Sequence, residues 1–282
     1  MTVMFQTVAM IELSIRNGAF RCRFNLDKRS LERSPLCTKL ENSSGLQVST
    51  VEHLMAALAG CGIHNALIEI DGPEVPILDG SSAPFVRGIM QRGVRMLTAP
   101  VFALEVLKTV TITEGDATAT IAPSDTLKID FEIDFVDAAI GHQQKSLVMN
   151  NGSFARELCD SRTFCRQADV DAMQANGLAL GGSAGENAIV FEGDKVLSPG
   201  GLRHADEPVR HKMLDALGDL ALAGAPLIGH YTGIRAGHTM TNTLLRALFA
   251  TPGAVRMVEC DAAMTSRLPG YGLVMAEIPA VA

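Results

Sequence analysis

Asp206-Glu-Pro-Val-Arg-His-Lys-Met-Leu-Asp-Ala-Leu-Gly-Asp-Leu-Ala-Leu-Ala-Gly224 reads as one amphipathic helix carrying two different stripes. Asp206 suits an N-cap, Glu207 the positive end of the helix dipole, and Pro208 fits the first turn without losing a needed donor. Gly224 supplies a C-terminal stop. Val209, Met213, Leu217, Leu220 and Ala221 recur at helical spacing and form the apolar stripe. His211, Asp215 and Asp219 follow at i, i+4 and i+8, a polar stripe that drifts slowly around the helix. An imidazole and a carboxylate one turn apart can hold one metal ion between them. A surface ion pair is the ordinary explanation of such a pair taken alone, so the decision rests on what the rest of the chain supplies.

The chain has 282 residues, enough for one large domain or two ordinary ones with a substantial core. Its 47% hydrophobic and 20% charged content is that of a folded protein. A net charge of −7 argues against nucleic acid as a partner, because no basic excess exists to neutralise phosphates. Six scattered cysteines with no C-x-x-C pair suit a reducing compartment. Met1 to Leu13 lacks a basic leader and a small-residue cleavage site, and no run of about 18 apolar residues exists to span a bilayer. The expected location is the cytoplasm.

Outward from the 206–224 helix, the pattern divides at Leu97-Thr-Ala-Pro100, which reads as a linker between domains at 1–96 and 101–282. In the first, two short strands flank Asn17-Gly18, Asp27 to Ser34 reads as loop, and short strands follow at 36–40 and 46–49. Ser49 and Glu52 stand in capping-box spacing before a helix over 49–60, with Gly60 as its stop. A strand at 66–70, a turn-rich loop at 71–80 and a helix at 81–92 complete this half. In the second, strands are expected at 101–113, 118–121 and 127–135, the last alternating Ile129, Phe131, Ile133 and Phe135 on one face. Short helices at 153–159 and 168–176, a turn at Gly181-Gly182, and strands at 188–191 and 195–197 precede the 206–224 helix. A strand at 227–234 and a helix at 238–250 follow. Each half gives strands, helix, strand, helix, so the fold class is α+β: two domains of related design, each a sheet with helices on one face.

Of seven histidines, His53 is the best third ligand for His211 and Asp215, since it opens a capped helix and is preceded by a carboxylate. Adjacent helical residues diverge by about 100°, so Glu52 cannot share the direction of His53 but can stand beside a metal-bound water. The plainer alternative makes Glu52 the closing carboxylate of the capping box and His53 an exposed residue. His238 follows a glycine at a helix entry, and Asp219 is a candidate to hold its other ring nitrogen. His64, His142, His204 and His230 have no acidic partner close in sequence that marks them as functional.

Six segments together resemble the UDP-3-O-acyl-N-acetylglucosamine deacetylases, zinc amidases of lipid A synthesis. They are Ser49-Thr-Val-Glu-His-Leu54, Pro76-Ile-Leu-Asp-Gly-Ser81, Ser161-Arg-Thr-Phe164, Gly181-Gly-Ser183, His211 to Asp219, and Gly237-His238, in matching order. The resemblance implies two β/α domains with the active site between them, and a monomeric enzyme working at the cytoplasmic side of the inner membrane on a lipidated UDP-sugar. It implies Zn²⁺ on His53, His211 and Asp215, with Glu52 as general base. His238 is implied as a charged acid oriented by Asp219, and Thr163 as a holder of the oxyanion. Lys212, Phe164, Gly182, Ser183 and Val170 are implied to bind substrate. An insert at about 167–197 would form an acyl passage, in which Val170, Leu178, Leu180 and Ile189 are candidates, though core packing explains the same residues. Cys37 matches a dispensable extra metal ligand. Residues 1–30 depart from the family pattern, lacking its Gly-Leu-His-Ser-Gly-like turn. The alternative function is a paralogue that binds zinc and substrate without turnover.

Overall fold

The computed structural model describes residues 11–17, 20–25, 31–32, 36–42, 44–175 and 187–279. The first half contains β1 (Ile11–Asn17), β2 (Phe20–Asn25), β3 (Leu31–Glu32), β4 (Lys39–Glu41) and β5 (Gln47–Val48). α1 (Glu52–Gly60), β6 (Ala66–Ile70) and α2 (Ala83–Arg92) follow. β1 lies between β2, antiparallel, and β6, parallel. β3, β4 and β5 form a second, antiparallel sheet. Residues 31–32, expected as loop, thus form an edge strand, and Gly18 of the expected turn lies outside the described residues.

The second half opens with β7 (Phe102–Val106), β8 (Val110–Glu114), β9 (Ala117–Ala122), β10 (Leu127–Asp134) and β11 (His142–Val148). α3 (Ser153–Glu157), β12 (Phe164–Arg166), α4 (Gln167–Ala175), β13 (Ile189–Glu192) and β14 (Lys195–Val196) come next. α5 (Glu207–Ala221), β15 (Leu227–Ile234), α6 (His238–Ala250), β16 (Val255–Glu259) and the short α7 (Ala262–Thr265) follow, and a 3-10 turn at Met275–Glu277 comes last. β15 is the hub of a seven-stranded sheet. One edge pairs with β10; the other pairs with β7 through Leu227–Ile228 and then with β9 from His230 onward. β12, β13 and β14 form a separate small sheet. The architecture is mixed α+β, as the alternating pattern implied.

α5 explains why these layers stay together. Val209, Met213, Leu214, Leu217 and Leu220 are all buried, and each such side chain removed from water stabilises the fold by about 1.5–3 kcal/mol. The helix packs on α1, α6, β10 and β11. On β10, Leu127, Ile129, Phe131 and Ile133 alternate inward beneath it. At its crossing with α1 the backbones touch, because a Cβ on Gly218 would lie 2.0 Å from the Glu52 carbonyl oxygen. Only a residue without a side chain fits there, and the consequence is that α5 reaches the first turn of α1.

Several local expectations fail for identifiable reasons. The expected strand at 101–113 divides into β7 and β8. β11 and β16 escape an alternation test because they are edge strands whose faces are both partly open. Neither expected cap bonds as a cap. Asp206 accepts instead from Arg210 Nε at 2.5 Å and Lys145 Nζ at 3.3 Å. Ser49 forms a bridge to Glu74, with its amide donating to the Pro73 carbonyl and its carbonyl accepting from Val75. The chain then enters α1 through Thr50, held in the left-handed region at φ 60° with its hydroxyl on Glu74 Oε1 at 2.7 Å. Glu52 is thereby released from capping.

Candidate metal centre and active site

The polar stripe of α5 faces inward. His211, Asp215 and Asp219 are 2%, 5% and 1% exposed, which removes the surface ion-pair explanation. His53, 3% exposed on the first turn of α1, meets them across the Gly218 crossing. One candidate ligand atom each from His53, His211 and Asp215 lies within 4.8 Å of the other two. Asp215 Oδ1 stands 3.3 Å from His211 Nε2 and 3.5 Å from His53 Nε2. It is buried yet makes no hydrogen bond. Ligands about 2.0–2.1 Å from a tetrahedral ion stand about 3.3 Å apart, so these separations suit a shared cation. Two imidazoles and one carboxylate also form a donor set that a divalent metal accepts. The residues present fit the group.

Neighbouring contacts orient these ligands. His211 Nδ1 is 3.0 Å from the Ser161 carbonyl, which directs Nε2 toward Asp215. Ser82 Oγ donates to the His53 carbonyl at 2.7 Å and so ties the first turn of α1. Burial pushes the His211 imidazole down to about 4, against the pull of Asp215, so the ring is neutral and able to ligate at neutral pH. Burial alone would raise Asp215, but His211, Lys212 and His238 hold its carboxyl well below the usual range.

Glu52 and His238 complete the constellation. Glu52 is 3% exposed; its Oε2 accepts from the Thr38 amide at 3.0 Å, and its Oε1 lies 3.8 Å from His238 Nε2. Burial raises its carboxyl above the ordinary value, opposed by His238 and His53. His238 begins α6, and its Nδ1 is 2.9 Å from Asp219 Oδ2, the partnership expected from sequence. Burial favours a neutral ring, but Asp219 and Asp215 outweigh it and carry His238 up to about 9. A buried carboxyl group and a buried imidazolium face each other beside the three candidate ligands. This is the pairing needed to take one proton and deliver another.

The remaining candidates fall in different places. Thr163 sits on the segment that crosses His211, its amide donating to the Gly80 carbonyl at 2.7 Å. Gly80 has φ +84°, and a Cβ there would meet the Asn187 carbonyl at 2.1 Å, so Asp79-Gly-Ser81 is a backbone support for Thr163. Phe164 packs edge-on to His211, Phe135 and Phe191. Lys212 Nζ lies 2.9 Å from Asp215 Oδ2. Val170 is half-buried on α4, whereas Ile189 is fully buried in the main core. Gly182, Ser183, Leu178 and Leu180 lie outside the described residues. Three of the histidines set aside have carboxylate partners after all: His204 with Asp160, His230 with Asp130 and His142 with Glu132.

Sequence reasoning missed Thr38, Ser161 as a backbone ligand holder, and the role of Glu207. Glu207 is fully buried and accepts from the Arg162 amide at 3.0 Å, Arg162 Nε at 2.9 Å and the Arg203 amide at 2.6 Å. It clamps the Ser161–Phe164 segment to the start of α5. The signal was present in Arg162 of the Ser-Arg-Thr-Phe segment, but Glu207 satisfies the helix-dipole rule equally well and so conceals its burial.

The family model for UDP-3-O-acyl N-acetylglycosamine deacetylase matches residues 12–250. A UDP-3-O-acyl-N-acetylglucosamine deacetylase of Phenylobacterium zucineum is 46% identical over 235 residues, which is 83% of this chain and 80% of that protein. One from Shewanella oneidensis is 42% identical over 252 residues, 87% of this chain and 82% of the relative. One from Shewanella sp. strain ANA-3 is 41% identical over 246 residues, 85% of this chain and 80% of the relative. The chain belongs to the UDP-3-O-acyl N-acetylglycosamine deacetylase family.

Proposed function

We propose that this protein is a zinc-dependent amidohydrolase that removes the N-acetyl group of a UDP-3-O-acyl-N-acetylglucosamine, releasing acetate and the free amine, in lipid A synthesis. The observation that carries the reading is the buried grouping of His53, His211 and Asp215 beside the opposed pair Glu52 and His238. The names of the relatives supply the substrate.

His53, His211 and Asp215 would hold the ion. When bound, Zn²⁺ supplies Lewis acidity, which acidifies water and polarises an amide carbonyl. Glu52 Oε1 accepts the proton of the attacking water, because Oε2 is held by the Thr38 amide. An amine leaves an amide only after protonation, and His238 Nε2 carries that proton while Asp219 fixes Nδ1. Thr163 is assigned to hold the carbonyl oxygen as charge develops. Lys212, Phe164, Val170, Gly182 and Ser183 are assigned to the substrate, with Lys212 supplying charge for the diphosphate and 167–197 the acyl passage. Cys37 remains a dispensable neighbour of the metal in this scheme.

We further assign 1–96 and 101–282 as two domains meeting at this site, in a monomer that works in the cytoplasm with transient contact at the inner membrane. No helix among the described residues is long and apolar enough to cross a membrane. Acetate release by the zinc-loaded protein from the acylated UDP-sugar tests the reading. Binding of that sugar without acetate release, at one equivalent of zinc, would establish the non-catalytic alternative instead.

A further inference from the structure

Thr38 lies immediately before β4 and is 1% exposed. It touches three parts of the site at once. Its amide donates to Glu52 Oε2 at 3.0 Å, and its hydroxyl donates to Asp219 Oδ1. Its carbonyl accepts from the amide of Val51, which caps α1, at 3.4 Å. Asp219 Oδ2 holds His238 Nδ1 at 2.9 Å, and His238 Nε2 faces Glu52 Oε1 at 3.8 Å. The contacts close a ring that runs from Glu52 through Thr38, Asp219 and His238 back to Glu52.

We infer that Thr38 is a positioning residue for the proton-transfer pair, an inference that rests on the deacetylase reading. Its two donors act on different carboxylates. The amide fixes which oxygen of Glu52 is free, and the hydroxyl occupies one oxygen of Asp219 so that the other stays aimed at His238. Without the hydroxyl, Asp219 Oδ1 is a buried anionic oxygen that has lost a donor, which the carboxylate relieves by turning. His238 then loses its fixed orientation although no group that meets substrate has been altered.

The test uses the zinc-loaded full chain with Thr38→Val and Thr38→Ser. Valine keeps the β-branched shape and the amide contact but removes the hydroxyl. The expected result is a kcat lowered about 10- to 100-fold for Thr38→Val, with zinc content and KM near wild type. Thr38→Ser should return kcat to within about threefold of wild type. A Thr38→Val enzyme as fast as wild type, or a Thr38→Ser enzyme as slow as Thr38→Val, would overturn the inference. If valine destabilises the fold, Thr38→Ala takes its place as the variant without the hydroxyl: adding it to Asp219→Asn should cost little more, whereas a full multiplicative loss counts against the shared chain. The His238 Nδ1 proton gives a readout independent of turnover. It should exchange slowly in wild type and Thr38→Ser and quickly in Thr38→Val, and unchanged exchange would contradict the proposal. A wild-type protein that releases no acetate defeats the deacetylase reading, while the proton-exchange arm still judges Thr38.

Discussion

Glu52 and His53 are neighbours in sequence that answer to different partners. The turn of α1 sends His53 toward His211 and Asp215, and Glu52 toward Thr38 and His238. The same principle of environment setting role divides the histidines. His211, pushed by burial against the pull of Asp215, is down at about 4, whereas His238, between Asp219 and Asp215, is up at about 9. In the metal-free protein, NMR titration should find His238 protonated and His211 neutral at pH 7.5. The reverse order of titration would contradict the site described. Stability follows by linkage. The contribution of His238 is fully present below its ordinary 6.5 and is lost as pH rises through about 9. His211 acts oppositely, withdrawing stability as pH falls from 6.5 toward about 4.

At the scale of elements, the α1–α5 crossing is where packing becomes chemistry. Gly218 allows α5 to approach the Glu52 backbone, so any Cβ there must push apart the helices that carry the candidate ligands. Gly218→Ala should destabilise the fold by about 1–3 kcal/mol, and it should weaken metal binding by tenfold or more at the same time. Calorimetric melting and zinc titration on one sample check this; loss of stability with unchanged zinc affinity would show that the crossing does not set the site. This crossing also marks how far sequence could be read. The i, i+4, i+8 stripe announced His211, Asp215 and Asp219 because helical periodicity is local. The alternating β10 was legible for the same reason. Thr38 was not, since its partners lie 14 and 181 residues away and nothing within its own segment points to them. Edge strands such as β11 were missed because a strand open on both faces has no apolar rhythm.

The whole molecule places candidate ligands from two distant stretches of chain in one buried centre, so the proposed metal site couples binding to folding. An ion that binds the native chain and not the unfolded one stabilises by about 2.7 kcal/mol at a hundredfold excess over its Kd. Removing the metal with a chelator should therefore lower the melting temperature and abolish turnover together, and one equivalent of Zn²⁺ should restore both. A melting temperature indifferent to zinc would mean that the three residues do not form a metal site. The central claim, that these side chains separate metal holding from proton transfer, is tested most directly by measuring zinc content and acetate release on the same samples of three proteins. Wild type should bind one equivalent and release acetate. Glu52→Gln should keep its zinc and lose about 10²- to 10⁴-fold in kcat, while His211→Ala should lose both. Full zinc content in His211→Ala, or undiminished turnover in Glu52→Gln, would contradict the account.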